Sequence, residues 1–216
     1  MSGVLEEDLG IITNSDFDFR RFKNKSFLVT GATGLVGSIF IKALSYANEK
    51  KNLNITILAV VRDENKADKI LGDYKATGNI CYIVADIGKE LDIAQEVDFI
   101  IHGAGITASK TMVENPVGTI STAVNGTMNI LELARRKKPE TVIYLSSMEV
   151  YGTINTGNVS EADMGYVDLT NVRSCYPESK RMCECLCNSY SSQYGINVVS
   201  ARLAQTFGPG ILDTEN

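Results

Sequence analysis

The stretch Phe27-Leu28-Val29-Thr30-Gly31-Ala32-Thr33-Gly34-Leu35-Val36-Gly37 sets the architecture of the chain. Phe27 to Thr30 is a short apolar strand, three glycines follow at a spacing of three, and the run beyond them has helical character to about residue 47. A strand, a glycine turn and a helix in direct succession meet three physical demands together. The turn is tight, the backbone is open to close approach, and a helix N-terminus is aimed at negative charge. Such a unit suits a pyrophosphate.

Working outward, residues 55–61 form a second β-branched run, residues 64–71 a polar helix, and residues 81–84 a third strand that ends in Ala85-Asp86-Ile87. Residues 97–102 make a fourth. The segment from Pro116 to Lys137 carries Ile120, Val124, Met128, Leu131 and Leu133 at roughly helical spacing and closes in Arg135-Arg136-Lys137-Lys138. Those charges read as a solvated cap at the negative end of a helix dipole. A fifth strand at 141–146, a long loop to about 174, a helix at 176–194 and a sixth strand at 197–203 complete the pass. Strands alternating with helices predict an α/β fold with a parallel sheet covered on both faces. Residues 26–216 form this single domain. Residues 1–25, polar and aromatic in patches without a clear period, are expected as an N-terminal extension packed outside it.

Composition narrows the function classes. The chain has 216 residues, is 44% hydrophobic and 22% charged, and carries a formal charge of -5. That is an ordinary globular balance. It lacks the clustered excess of Lys and Arg that nucleic-acid binding requires. No apolar window is long enough to span a bilayer, and the acidic N-terminus has no signal pattern, so a cytoplasmic protein is expected. Cys81, Cys175, Cys183, Cys185 and Cys187 are odd in number and fit reduced thiols better than a disulfide framework. On a helix Cys185 points away from Cys183 and Cys187, which favours small helix residues over metal ligands.

Two further stretches carry chemistry. Tyr176-Pro177-Glu178-Ser179-Lys180 puts a phenol and an ammonium four residues apart on one helical face, where the ammonium would stabilise a phenolate. Ser146 and Ser147 close the fifth strand, and the strand ends of an open parallel sheet are where ligands bind. A hydroxyl there would share a substrate oxygen with Tyr176.

From Ser26 onward the chain resembles the extended short-chain dehydrogenase/reductase family of nucleotide-sugar epimerases, dehydratases and decarboxylases. The resemblance rests on Thr30 through Gly37, Ala85-Asp86-Ile87, Ile101-His102-Gly103-Ala104-Gly105, Val124-Asn125-Gly126-Thr127, Leu145-Ser146-Ser147-Met148-Glu149-Val150-Tyr151-Gly152, Tyr176 through Lys180, and Arg202 through Phe207-Gly208-Pro209. It implies a Rossmann-type doubly wound sheet and an NAD or NADP cofactor. By resemblance, Gly31, Thr33, Gly34, Leu35, Val36 and Gly37 wrap the pyrophosphate, and Asp86 and Ile87 hold the adenine. His102, Gly103, Ala104, Gly105 and Asn125 line the dinucleotide, and Ala204 lies beside the nicotinamide. Ser147, Tyr176 and Lys180 match the catalytic triad, and Tyr176 and Lys180 also border the cofactor. His102, the only histidine, suits a cofactor wall better than catalysis.

Two positions depart from the family pattern. Where many relatives have an acid for the ribose hydroxyls, this chain has Arg62 followed by Asp63. The arginine would meet a 2'-phosphate and favour NADP, Asp63 would serve NAD, and spacing leaves both open. After Ser147, Met148 replaces the first member of the acid pair of sugar 4,6-dehydratases, and only Glu149 matches. This speaks against water elimination from carbon 6, because the leaving hydroxyl lacks its proton donor. A serine followed two residues later by glutamate is closer to the UDP-glucuronate decarboxylases.

The resemblance implies an enzyme acting on a nucleotide sugar, UDP- or dTDP-linked, through a transient keto-sugar, with hydride transferred to nicotinamide and a tyrosine as base. It implies a homodimer through the two long helices, no nucleic acid and no membrane. Relatives continue for about a hundred further residues, so the C-terminal substrate-binding part is expected to be largely missing, which leaves the activity of the fragment open. Two other readings stay open: a non-catalytic dinucleotide-binding module, and a short-chain reductase of a non-sugar ketone or alcohol.

Overall fold

The computed structural model describes residues 3–154 and 157–208, so Pro209, which ends the last motif, lies outside the described residues. Six strands, β1 (Ser26–Thr30), β2 (Thr56–Val61), β3 (Ile80–Val84), β4 (Phe99–His102), β5 (Thr141–Ser147) and β6 (Val198–Leu203), form one sheet in the order β3-β2-β1-β4-β5-β6. All neighbours are parallel. The chain leaves the central β1 toward β3, then returns to β4 and winds the other way. This doubly wound order opens a crevice at the C-terminal ends of β1 and β4.

Alternation along the strands supplies two cores. Phe27 and Val29 of β1 join Ile57 and Ala59 of β2 on one face, against α2 (Leu35–Lys51) and α3 (Glu64–Lys75) through Ile41, Leu44 and Leu71. Leu28, Leu58 and Ile100 point the other way, to Ile130 and Leu133 of α5 (Pro116–Lys137). Burial on both faces explains why the strands read as continuous apolar runs. Each such side chain contributes roughly 1.5–3 kcal/mol. A third cluster, Leu131, Tyr144, Cys183 and Cys187, fills the space between β5, α5 and α6 (Cys175–Tyr194), while Cys185 is exposed.

Residues 3–25 are more structured than their irregular pattern suggests. Helix α1 (Gly3–Thr13) has Leu9 fully buried in the same core as α2. A 3-10 turn at Phe19–Phe22 brings Phe22 edge-on to Phe27 at 5.0 Å and to Phe99 at 5.5 Å. The aromatic patch thus packs against aromatic side chains of β1 and β4. A short helix, α4 (Ser109–Glu114), was also not evident from the sequence, since six residues are too few to show a period.

The ends of α5 account for its sequence. Asn115 caps it by accepting from the Gly118 N–H, with Pro116 in the first turn. The basic cluster at its other end is engaged locally: Arg135 pairs with Glu132, and Arg136 pairs with Glu90 and donates to the Leu91 carbonyl. No helix among the described residues is long and apolar enough to cross a membrane.

Candidate active site

Because every strand is parallel, the strand ends gather along one edge of the sheet. Gly31 has φ +70°, and a Cβ there would lie 2.7 Å from the Gly103 carbonyl carbon. A Cβ on Gly37 would stand 2.2 Å from the Gly31 carbonyl oxygen. Glycine is required at both, by the left-handed turn at the first and by the close approach of helix to turn at the second. Gly34 begins α2 without any side-chain cap. The first N–H groups of α2, those of Leu35, Val36 and Gly37, are thereby left to an incoming anion, and Thr33 precedes them in the turn. This cradle fits a dinucleotide pyrophosphate.

Around it lie the other expected cofactor residues. Gly103 donates to the Thr30 carbonyl and Ala104 to the Thr30 hydroxyl, which fixes the turn after β4, with Gly105 exposed beyond. Asp86 is exposed after β3 and accepts from the Gly88 N–H. Ile87 is buried under α5, its carbonyl taken by Asn129. Asn125 is exposed on α5 and donates to Ser121. Ala204 is exposed one residue past β6, whose Leu203 pairs in register with Ser147.

At the β2 end the two candidates differ. Asp63 caps α3 by accepting from the Asn65 and Lys66 N–H groups, whereas Arg62 is exposed. Both bonds fall on one carboxylate oxygen of Asp63, and the two charged side chains are both exposed at the strand end.

His102 is buried between Thr30, whose Oγ1 lies 2.7 Å from Nδ1, and Thr127, whose Oγ1 lies 3.1 Å from Nε2. Ala104 N–H donates to Thr30, and Thr127 donates to the Cys183 sulfur. A neutral imidazole protonated at Nε2 satisfies the whole chain of bonds. Burial, with the Lys180 charge adding to it, pushes its pKa down to about 3. The ring is thus held neutral, with both nitrogens engaged inside the protein.

Ser147, Glu149, Tyr176 and Lys180 meet beside this crevice. Ser147 ends β5 and accepts from the Glu149 N–H at 3.2 Å, opening a 3-10 turn at Met148–Tyr151 in which Met148 is exposed. Tyr176 and Lys180 enter on the first turns of α6, where Pro177 is tolerated. Lys180 is buried and donates to the Leu145 carbonyl at 2.7 Å. Burial brings its ammonium down to about 8.

The expected influence of Lys180 on the phenol is not what this arrangement displays. Its Nζ lies 5.7 Å from the Tyr176 ring centroid. Burial raises the Tyr176 pKa, Glu149 adds to the rise, and a hydrogen bond with Ser147 and the charge of Arg173 oppose it. Arg173 was not singled out from the sequence. It donates to Glu149 at 2.8 Å, and its guanidinium carbon lies 5.4 Å from the Tyr176 ring centroid.

Three more charged residues brace the site. Arg181 donates to the carbonyls of Val150 and Gly165, tying the turn after β5 to the following loop. Glu184 accepts from Ser146 at 2.6 Å and from two nitrogens of Arg202. Burial pulls the Glu184 carboxyl upward, but the bonds from Arg202 and Ser146 outweigh it and hold it below its ordinary value. Partners 18 to 38 residues apart leave no local sequence signal.

With this geometry established, comparison with known proteins is decisive. The model of the NAD dependent epimerase/dehydratase family matches residues 27–216. The chain belongs to that family. UDP-glucuronic acid decarboxylase 6 of Arabidopsis thaliana is 34% identical over 186 residues, covering 86% of this chain and 52% of that protein. UDP-N-acetyl-alpha-D-glucosaminuronate decarboxylase of Bacillus cytotoxicus is 30% identical over 192 residues, covering 88% and 57%. UDP-glucuronic acid 4-epimerase of Bacillus cereus, solved in complex with NAD, superposes with a TM-score of 0.70 at 25% identity, covering 85% of this chain and 57% of that one. The chain spans about half the length of the curated relatives it matches. Within the epimerase/dehydratase family the Rossmann-like sheet and the NAD-dependent character are shared ground.

Proposed function

We propose that this chain carries the cofactor half and the catalytic residues of an NAD(P)-dependent enzyme that remodels a nucleotide sugar. A UDP-linked uronic acid is the substrate class, and loss of its carboxylate is the favoured outcome. The carrying observation is the convergence of Ser147, Glu149, Tyr176 and Lys180 on the crevice beside the glycine cradle. Decarboxylases acting on UDP-glucuronate and UDP-N-acetylglucosaminuronate among the relatives support it. So does Met148, which leaves the turn without the acid that water elimination requires.

In this reading the pyrophosphate lies on the α2 N-terminus, and the dinucleotide supplies a reversible hydride acceptor that is recycled within each turnover. Tyr176, as phenolate, would take the proton of a sugar hydroxyl while the carbon bearing that hydroxyl gives up hydride to the dinucleotide, and Ser147 would donate a hydrogen bond to the oxygen as it becomes a carbonyl. Lys180 holds positive charge beneath the crevice, anchored on the Leu145 carbonyl. A carboxylate on the neighbouring carbon would leave as CO2, its bonding pair passing into the carbonyl as an enolate that a proton then quenches before hydride returns. Five free cysteines, three of them buried, suit a reducing compartment such as the cytoplasm. Exposed Val117, Ile120 and Met128 on α5 and Met182 and Tyr194 on α6 supply apolar surface for a homodimer.

The test is mass spectrometry of small molecules released from the purified chain, then thermal-shift titration with NAD, NADP and a panel of nucleotide sugars. Bound dinucleotide together with stabilisation by a UDP-uronic acid supports the reading. Dinucleotide with no sugar response makes the chain a cofactor module. Consumption of reduced cofactor with small ketones makes it a reductase. Tyr176→Phe abolishes sugar turnover while dinucleotide binding persists; undiminished turnover in that variant would sink the mechanism.

A further inference from the structure

We propose that Arg173 is a positioning residue for Tyr176, clamping the Glu149 carboxylate while its guanidinium lies over the phenol ring. The consequence for turnover rests on the reading above, but the clamp itself is testable without any substrate.

The geometry is built from three separate elements. Arg173 sits in the 3-10 turn at Val172–Ser174, held there by Asn171, whose side chain accepts from the Arg173 N–H at 2.9 Å. Glu149 comes from the turn after β5, and Tyr176 from the first turn of α6. The guanidinium bridges them, with Nη2 2.8 Å from Glu149 Oε1 and the central carbon 5.4 Å from the ring centroid. Both charged side chains are about a third exposed, at 30% and 35%, so the pair is held by geometry as much as by charge. Nη1 is buried and has no partner among the described residues. An arginine serving stability alone would be expected to satisfy that buried donor.

Charge sets the direction of the effect. Tyr176 is faced by Glu149 and Arg173 from the two turns, by Ser147 and Tyr144 from β5, and by Lys180 on its own helix, while Glu178 is occupied by Arg181. Glu149 opposes ionisation of the phenol and Arg173 favours it. Clamped together they act on the phenol in opposite directions, and the arginine opposes the rise that burial and the carboxylate impose.

The experiment is 13C NMR of the full chain labelled at tyrosine Cζ, titrated with alkali. Tyr176 is the resonance missing from Tyr176→Phe among the nine tyrosines. Arg173→Gln should raise its midpoint by about one unit, a roughly tenfold loss of phenolate at fixed pH. Glu149→Gln should lower it, the double variant should fall between the singles, and Arg173→Lys should recover most of the loss. An unchanged midpoint in Arg173→Gln, or equal midpoints in single and double variants, overturns the proposal. Should Arg173→Gln fail to fold, Glu149→Gln alone decides, because an unmoved midpoint there removes the carboxylate from the account. Failure of the sugar assays would leave these midpoints untouched, so the two readings fail separately.

Discussion

Arg62 and Asp63 stand side by side at the end of β2, and hydrogen bonds separate their roles. Asp63 accepts from the first N–H groups of α3 through one carboxylate oxygen, and Arg62 beside it makes no such cap. An arginine at this position accommodates a ribose 2'-phosphate. Arg62→Ala should therefore weaken NADP binding about tenfold or more and leave NAD nearly unchanged, as read by calorimetric titration of each. Equal losses for both dinucleotides would remove Arg62 from the phosphate. Both residues were legible in the sequence, but the capping role of Asp63 was not, since helix capping depends on backbone angles that the sequence does not print. Arg173 is the converse case. Its partner Glu149 is 24 residues away, and only folding shows that the two share a tyrosine.

Among the elements, β5, α6 and β6 are joined by one charged clasp. Glu184 on α6 accepts from Ser146 on β5 and from Arg202 on β6, and Arg202 also donates to the Glu161 carbonyl. The two charged side chains are only 12% and 18% exposed. Removing one partner leaves an uncompensated charge, so Glu184→Gln should cost about 2–4 kcal/mol after allowing for the residual exposure. Replacing both with methionine should cost less than the single change. Urea unfolding of the three chains checks this, and a double variant weaker than the single would refute it. The clasp holds the strand end that presents Ser147, so its loss should also loosen the site. Helix α6 was readable from its length and the Tyr176 motif, but the clasp was not, because pattern reading sees periodicity rather than partners.

For the whole molecule, the buried imidazole of His102 links stability to pH. Burial, with Lys180 adding, lowers its pKa from 6.5 to about 3. Between those values the unfolded chain binds a proton that the folded chain does not. Stability is thus full above the unfolded value and drains as pH falls through the window. From pH 7 to pH 4 the wild-type chain should lose about 3 kcal/mol more than His102→Gln, measured by denaturant unfolding at each pH. Parallel losses would contradict this. The alternation of the six strands with α2, α3, α5 and α6, the parallel sheet, the glycine turn and the Tyr-Lys spacing were determined by the sequence alone, because hydrophobic period, glycine spacing and helical register are local properties. The first 25 residues resisted reading for the opposite reason. Leu9 and Phe22 gain their burial from α2, β1 and β4, so nothing in their own stretch announces it. Which charges meet was decided by the tertiary structure: Arg173 with Glu149, Glu184 with Arg202, and His102 between two threonines. Hydrogen bonds and ion pairs act over a few ångströms in space, and only the packed sheet and helices bring residues distant in sequence within that reach.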